Sequence, residues 1–123
     1  LHMDCDKFIF AGLTHRITPW RDGYRMARAL GGRNEFVLSS SGHIQTLINP
    51  TGNAKGKFFV NPSLASTPDD WLSQARPVPG SWWEHSRSWL AERSGAIRAA
   101  PERLGNDRYA PGADAPGTYV SVN

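Results

Sequence analysis

The sequence predicts the α/β fold class, and three observations support that prediction. Two short stretches are typical of strands: the apolar residues 8–11, and residues 35–39 (EFVLS) with their apolar centre. An amphipathic segment of helical length separates them. A strand, a helix and a second strand within about 33 residues make a βαβ unit, which implies that the strands are parallel. Because two parallel strands alone do not make a stable sheet, we expect the missing strands to lie before Leu1.

The first strand and the helix after it have clear signals in the sequence. The run at residues 8–11 is continuously apolar and stops at Gly12, which is typical of a strand covered on both faces. Thr18 is a suitable N-cap and Pro19 a suitable first helical residue. The sequence therefore predicts a helix over residues 19–30, which two glycines then end.

The rest of the chain is predicted to contain short elements and an irregular tail. Residues 44–50 can form a helical turn or two, residues 57–60 can be extended, and a helix can start at Thr67. A longer helix is predicted over residues 81–94, where Ser81 and Glu84, three residues later, form a capping box. The tail from Ala99 is rich in proline and glycine and is expected to be irregular.

Aromatic residues give the helix over residues 81–94 one broad apolar face. Trp82 and Trp89 are seven residues apart, as are Trp83 and Leu90. The simpler explanation is that this face packs on a sheet. The alternative is an interaction surface, which predicts that Trp83 and Trp89 are exposed.

Composition bounds the class of protein. The chain has 123 residues, enough for one domain, and a net charge of +3. Its 11 arginines are scattered, whereas nucleic-acid surfaces usually cluster their charge, so nucleic-acid binding is not expected. With one cysteine there is no internal disulfide, and a reducing, cytoplasmic location is the default. No segment approaches the roughly 20 apolar residues that span a bilayer, and the amino terminus lacks the charged and apolar regions of a signal peptide. Because a strand begins almost at once, we expect a chain cut from something larger.

His43 is the strongest candidate for a chemical role. It follows the second predicted strand, in a loop of small hydroxyl residues beside Gly42. An imidazole takes and returns protons near neutral pH, which suits general acid–base chemistry. By pattern alone, however, a lone histidine at a strand end is more often structural, and His2 and His85 have weaker claims still. No spacing of His, Cys and carboxylates indicates a metal site.

The layout of the chain strengthens the case for His43. Hydrolases of the α/β type place nucleophile, acid and histidine in that order along the chain. Here an apolar strand leads into the loop at residues 13–18, and the next strand leads into the loop with His43. The layout therefore fits the acid and histidine portion of such a site, with the nucleophile expected upstream.

Four segments together closely resemble the carboxyl-terminal part of polyhydroxyalkanoate synthases, over nearly the whole chain. They are AGLTHRITPW, LGGRNEFVLSSSGHIQTLINPTGNAKGKFF, PGSWWEHSRSWLAERSG and APGTYV. The resemblance implies an α/β-hydrolase-type fold, of which residues 1–123 would be the carboxyl-terminal portion: the last two parallel strands, the intervening helix, the Trp-rich helix and the irregular tail. The upstream strands and the nucleophile elbow would be absent.

The same resemblance implies the activity and the partners. Members of the family polymerise (R)-3-hydroxyacyl groups from coenzyme A thioesters into polyester and release CoA, without a further cofactor. They act in the cytoplasm at polymer granules, and a full-length homodimer is expected. Their nucleophile is an upstream cysteine, activated by a histidine that matches His43 and supported by an aspartate. Cys5 is not in a G-x-C-x-G setting and is not that nucleophile.

One departure from the family pattern affects the site itself. The family has A-G-x-x-D-H-I-x-P-W, so that His15 stands where the catalytic aspartate would be and Arg16 where the next histidine would be. A neutral His15 can accept one hydrogen bond from His43 but carries no negative charge. Asp22 is the nearest downstream carboxylate, and an ordinary exposed helix residue is the favoured interpretation of it. We therefore expect the catalytic positions to be His43 and a substituted His15.

The leading hypothesis is part of a polyhydroxyalkanoate synthase that supplies the triad histidine and is inactive by itself. Two alternatives stay open at this stage. One is a non-catalytic module that binds polymer granules or a partner through the Trp-rich helix and the loop with Phe58 and Phe59. The other is part of a different α/β-hydrolase, such as a thioesterase or a depolymerase.

Overall fold

A four-stranded mixed sheet organises the chain. The computed structural model describes residues 3–121, and within them the strands lie in the order β1–β2–β3–β4. The strands are β1 (Lys7–Gly12), β2 (Asn34–Ser39), β3 (Lys57–Val60) and β4 (Arg76–Pro79). The helices are α1 (Trp20–Ala29), α2 (His43–Ile48), α3 (Pro68–Gln74) and α4 (Trp82–Ala91), followed by a 3-10 turn at Tyr119–Ser121.

The predicted βαβ unit is present. β1 and β2 pair in parallel from Lys7 opposite Asn34 to Gly12 opposite Ser39, with α1 between them in the chain. The α/β fold class is therefore confirmed, whereas the parallel arrangement holds for only part of the sheet. β3 pairs antiparallel with β2, and β4 pairs antiparallel with β3.

β4 has no counterpart in the sequence prediction. Its sequence is Arg-Pro-Val-Pro, and proline lacks the N–H that a central strand needs. Within the described residues β4 is the last strand of the sheet and bonds on one side only, which is where a strand tolerates proline.

One face of the sheet carries the main core. α1 and α3 cover this face, and the aromatic rings of Tyr24, Phe36 and Trp71 meet at centroid distances of 5.0–5.7 Å. The Tyr24 hydroxyl donates a hydrogen bond to the Ala65 carbonyl at 2.8 Å. Burial raises the pKa of Tyr24. The buried core cluster comprises Trp20, Tyr24, Ala27, Phe36, Leu38 and Trp71.

The other face of the sheet is covered by α4. Trp82 stacks on Phe10 at 4.1 Å, and Trp89 meets Phe8 edge-on at 5.6 Å. Packing of the Trp82 and Trp89 stripe is thus confirmed. The packed face is narrower than predicted, since the other pair of that face is exposed: Trp83 is 41% exposed and Leu90 is 53% exposed.

β1 is covered on both faces but less completely than predicted. Phe8 and Phe10 lie under α4, and Ile9 packs towards the main core. Phe10 is nevertheless 36% exposed, because β1 is an outer strand of the described sheet and only one of its edges is hydrogen-bonded.

The helix ends differ from the sequence prediction in three respects. α1 starts at Trp20 with Pro19 as N-cap, and the Thr18 side chain does not cap it. At α4, Ser81 accepts from the Trp83 N–H rather than completing the predicted box with Glu84, and the regular helix ends at Ala91 rather than Ser94.

The cap of α3 and the tail follow the prediction. Thr67 accepts from the Asp70 N–H, and Pro68 is the first residue of α3. Beyond α4 the described residues are irregular and largely exposed until the 3-10 turn. No helix within residues 3–121 is both long and apolar enough to cross a bilayer.

Candidate active site

The loops that leave β1 and β2 are joined at the carboxyl ends of these strands. Main-chain hydrogen bonds run from Leu13 N to Ser39 O at 2.8 Å and from Thr14 N to Ser41 O at 3.4 Å. Thr46 of α2 reinforces the junction by donating its hydroxyl to Ser41 O at 3.0 Å. Side chains delivered by the two loops are therefore held at one edge of the sheet.

Gly12 is required for this close approach. A Cβ placed on Gly12 would lie 2.5 Å from Thr46 Oγ1 and 2.8 Å from Ser41 O. Both distances are well below an ordinary carbon–oxygen contact, so a side chain at this position would force the two loops apart.

His43 is the first residue of α2, with Gly42 as the N-cap. Its position follows from the sequence, because β2 ends in small hydroxyl residues and the chain turns at Gly42 directly into a helix. The helix bond from Thr46 N to Gly42 O, at 2.9 Å, fixes the turn that carries the imidazole. His43 is thus held rigidly at its backbone, while its ring is exposed.

The structure brings the two sequence-predicted site residues into contact. His43 Nδ1 lies 2.6 Å from His15 Nε2, and the rings meet edge-on with centroids 4.5 Å apart. His15 is held by a turn in which its N–H bonds to Gly12 O at 3.1 Å. Position 15 is therefore geometrically able to partner the Nδ1 atom of His43, as the acid of a triad does.

Thr18 is a site residue that the sequence analysis missed, because it was assigned to the helix cap. Its main-chain N–H donates to His15 Nδ1 at 2.9 Å. Its hydroxyl oxygen lies 3.0 Å from His15 Nδ1 and 3.3 Å from His15 Nε2. The signal that could have revealed it is Pro19, since a residue before proline favours extended backbone and keeps its N–H out of the helix.

A cavity of about 680 Å³ opens beside the histidine pair. Its walls are mainly apolar, and both His15 and His43 reach them. The apolar lining comes from β1, the loop after it, α1 and α2, and includes Ile9, Phe10, Ile17, Trp20, Met26 and Leu47. An imidazole at the wall of an apolar cavity can exchange a hydrogen bond or a proton with a bound molecule that has an apolar body.

The other candidate residues lie apart from this pair. Asp22 lines the cavity, but its carboxylate pairs with Arg25 at 2.6 Å, and both side chains are 65% exposed, which agrees with an ordinary surface residue. Cys5 is an exposed free thiol before the amino end of β1, opposite the end that carries His43. His85 hydrogen-bonds Glu35, and His2 lies outside the described residues.

Comparison with known proteins gives one consistent result. No protein-family model matches the chain. The chain is 48% identical over 116 residues to poly(3-hydroxyalkanoate) polymerase 1 of Ectopseudomonas oleovorans, which covers 94% of the chain and 21% of that protein. Polymerase 2 of the same organism is 48% identical over 118 residues, covering 96% of the chain and 21% of that protein.

A more distant relative shows the same pattern. The poly(3-hydroxyalkanoate) polymerase subunit PhaC of Cupriavidus necator is 39% identical over 120 residues, covering 98% of the chain and 20% of that protein. The chain thus spans about a fifth of the length of the curated relatives it matches. Over nearly all of its own length, the chain is a homologue of one segment of the poly(3-hydroxyalkanoate) polymerases.

Proposed function

We propose that the chain is the acid and histidine portion of a polyhydroxyalkanoate synthase with an α/β-hydrolase-type catalytic domain. The parent enzyme polymerises (R)-3-hydroxyacyl groups from CoA thioesters and releases CoA. The observation that carries the proposal is the 2.6 Å contact between His43 Nδ1 and His15 Nε2 at the carboxyl ends of two parallel strands. In a triad enzyme the acid and the histidine meet at this place and through this ring nitrogen.

His43 supplies the proton transfers in the proposed reaction. A cysteine of the parent protein attacks the thioester carbonyl, His43 takes the thiol proton, and the departing CoA sulfur receives that proton. For chain growth, His43 takes the proton of a hydroxyl group, whose oxygen attacks the acyl–cysteine thioester. The carbon–sulfur bond breaks, and the released cysteine sulfur receives that proton from His43. The apolar cavity beside His43 suits the aliphatic part of a hydroxyacyl unit.

The substituted acid position lowers the expected activity. A carboxylate at position 15 would stabilise the imidazolium of His43 with a full negative charge, whereas His15 is a neutral partner. In the serine-protease triad, replacing the acid by its amide lowers turnover by about 10⁴, which corresponds to roughly 5 kcal/mol of transition-state stabilisation. A cysteine nucleophile depends less on its base, because a thiol is more acidic than a hydroxyl, so the loss here is expected to be smaller.

The free edge of β1 is the proposed connection to the rest of the enzyme. Exposed apolar side chains surround this edge, among them Phe10, Ile17 and Met26. A neighbouring parallel strand with its helix would cover them and would extend the sheet towards the nucleophile. The 123-residue chain alone is therefore expected to release no CoA from a hydroxyacyl-CoA substrate.

A chimera tests the proposal. The matching segment of the E. oleovorans polymerase 1 is replaced by this chain, and CoA release is measured with the (R)-3-hydroxyacyl-CoA that the parent polymerase uses. We expect a rate about 10²–10⁴ below that of the parent polymerase, and His15→Asp should recover at least about a factor of ten of this loss.

Two further variants distinguish a specific loss at His43 from a general loss of activity caused by substitution. In the His15→Asp chimera, His43→Gln should abolish CoA release, whereas His85→Gln, at a histidine paired with Glu35 away from the cavity, should leave it nearly unchanged. A His43→Gln chimera as active as its parent would remove His43 from the proposed role.

A second candidate function rests on the outward side of α4. Trp83 is 41% exposed and Leu90 is 53% exposed, and they lie on the same stripe of the helix. This stripe is an apolar patch that could adsorb to a polyester granule, with each side chain worth about 1.5–3 kcal/mol when fully buried. Trp89, in contrast, packs on Phe8, so the interaction surface is narrower than the sequence suggested.

Sedimentation with polyester particles tests the second candidate. The double change Trp83→Gln and Leu90→Gln should lower the bound fraction of the chain at least about tenfold. Ile97→Gln is the matched control, because Ile97 is fully exposed and lies in the irregular tail. Equal loss of binding in both variants would show that adsorption is not specific to α4.

A further inference from the structure

We propose that the main-chain N–H of Thr18 sets the direction of the hydrogen bonds through His15 to His43, and thereby holds the proton of neutral His43 on Nε2. His43 then presents an N–H donor at Nε2, the atom at which the histidine of a triad presents a lone pair. Thr18 is in this view a positioning residue for His43. The inference depends on the geometry of the loop alone and not on the proposed function, so either can fail without the other.

The first step concerns His15. The Thr18 N–H donates to His15 Nδ1 at 2.9 Å, and a main-chain N–H cannot accept. His15 Nδ1 must therefore offer a lone pair. A neutral imidazole has one donor and one acceptor nitrogen, so the proton of His15 is on Nε2. The Thr18 hydroxyl does not decide the matter, since it lies near both ring nitrogens, at 3.0 and 3.3 Å, and can donate or accept.

The second step carries this direction to His43. His15 Nε2 is 2.6 Å from His43 Nδ1, and with its proton on Nε2 His15 is the donor of that bond. His43 Nδ1 accepts, and the proton of neutral His43 is on Nε2. The proposed polarity is opposite to the one considered from the sequence, in which a neutral His15 can accept a hydrogen bond from His43. The difference comes from the Thr18 N–H, which lies on the far side of the His15 ring.

A carboxylate at position 15 would reverse the arrangement. An ionised carboxylate only accepts, so it can take the Thr18 N–H and the His43 Nδ1–H at the same time. His43 would then keep a lone pair on Nε2, which is the nitrogen a triad histidine uses as the base. The imidazole of His15 changes which nitrogen of His43 carries the proton, in addition to removing a negative charge.

An additional proton on either histidine would have to replace one of the hydrogen bonds of the pair. A proton on His43 Nδ1 would face the Nε2–H of His15 across 2.6 Å, and a proton on His15 Nδ1 would face the Thr18 N–H across 2.9 Å. Either event breaks one of the two hydrogen bonds. Neutral His43 therefore presents its Nε2–H to an acceptor oxygen in the cavity, such as a carbonyl or a carboxylate, and has to change tautomer before Nε2 can take a proton in the proposed reaction.

Nitrogen NMR across the hydrogen bonds tests the proposal directly. The uniformly ¹⁵N-labelled 123-residue chain is studied at about pH 8.5, where ordinary imidazoles are neutral, with His15→Gln and His43→Gln used for assignment. We expect the proton bound to His15 Nε2 to correlate with His43 Nδ1, and the Thr18 amide proton to correlate with His15 Nδ1. A proton bound to His43 Nδ1 in the unaltered chain would overturn the proposal.

Variants at two positions isolate the cause. His15→Asp should move the His43 proton from Nε2 to Nδ1. Thr18→Pro removes the N–H donor, so the His15–His43 bond should no longer have one fixed direction and both histidines should be found as donor. Thr18→Val removes only the hydroxyl and should keep His15 as the donor. His85, which pairs with Glu35, is an internal reference that should not respond.

Each result decides the question. An unchanged direction in Thr18→Pro, or a His43 proton that stays on Nε2 in His15→Asp, would show that the Thr18 N–H does not set the tautomer. If Thr18→Pro does not fold, the correlations of the unaltered chain and of His15→Asp are sufficient to support or overturn the proposal.

Discussion

Gly12→Ala is expected to destabilise the chain and to separate the two loops that carry the histidine pair. The added Cβ would meet Thr46 Oγ1 at 2.5 Å and Ser41 O at 2.8 Å. The threonine hydroxyl can rotate away only by giving up its bond to Ser41 O, and the Ser41 carbonyl is main chain. Overpacking of this kind costs about 1–3 kcal/mol, and the lost hydrogen bond adds about 1 kcal/mol.

Gly23→Ala is the matched control for the same change of one methyl group. Gly23 lies inside α1, and its Cβ would be 3.9 Å from the Ala11 Cβ, an ordinary contact. Alanine in a helix interior is favoured over glycine by about 0.5–1 kcal/mol. Urea unfolding followed by tryptophan fluorescence should therefore shift the midpoint down for Gly12→Ala and up for Gly23→Ala. A Gly12→Ala chain as stable as the unaltered protein would refute the close-approach account of this strand end.

Two further predictions concern the core and a helix cap. Because burial raises the pKa of Tyr24, the folded chain holds a phenol proton that the unfolded chain releases from about pH 10 upwards, so stability should fall as the pH rises through this range. Tyr24→Phe should make the free energy of unfolding depend less on pH in this range. At neutral pH it should lower that free energy by about 1–2 kcal/mol, because the bond to Ala65 O is lost. Tyr109→Phe, at an exposed site, should have neither effect when urea unfolding is measured as a function of pH. Thr67→Ala should lower the free energy of unfolding by about 1 kcal/mol and Thr67→Ser by much less, since serine keeps the oxygen that accepts from Asp70 N; equal losses in the two variants would contradict the cap.

The sequence predicted the elements whose signals are local. The strands before Gly12 and Ser39 are continuous apolar runs, and the helix between them has a stripe of large residues, so both could be recognised without knowledge of their neighbours. β4 could not, because Pro77 and Pro79 argue against a strand unless one knows that it lies at the end of the sheet. Which aromatic residues of α4 are packed and which are exposed likewise depends on the side of the helix that meets β1, and this is decided by tertiary contacts.

The residues of the candidate site could be predicted from the sequence, but the hydrogen bonding between them could not. The order of strands and loops indicated the two loops and His43, and the family resemblance implied position 15. The structure places the two rings in contact. The direction of the bond between them did not follow, because it is set by a main-chain N–H, and every residue except proline carries one. Sequence patterns name side chains, so the only signal for this partner was indirect: Pro19, which keeps the Thr18 N–H out of the helix.

An asparagine at position 15 separates the effect of charge from the effect of proton direction. Its carbonyl oxygen would accept the Thr18 N–H, which leaves its amide NH₂ facing His43 Nδ1. His15→Asn should therefore keep the His43 proton on Nε2, as in the unaltered chain, whereas His15→Asp should move it to Nδ1. An amide in place of the acid of a serine-protease triad likewise leaves the histidine in the wrong tautomer. Nitrogen NMR of the two variants distinguishes the explanations: if Asn and Asp gave the same His43 tautomer, the Thr18 N–H would not be the group that directs the pair.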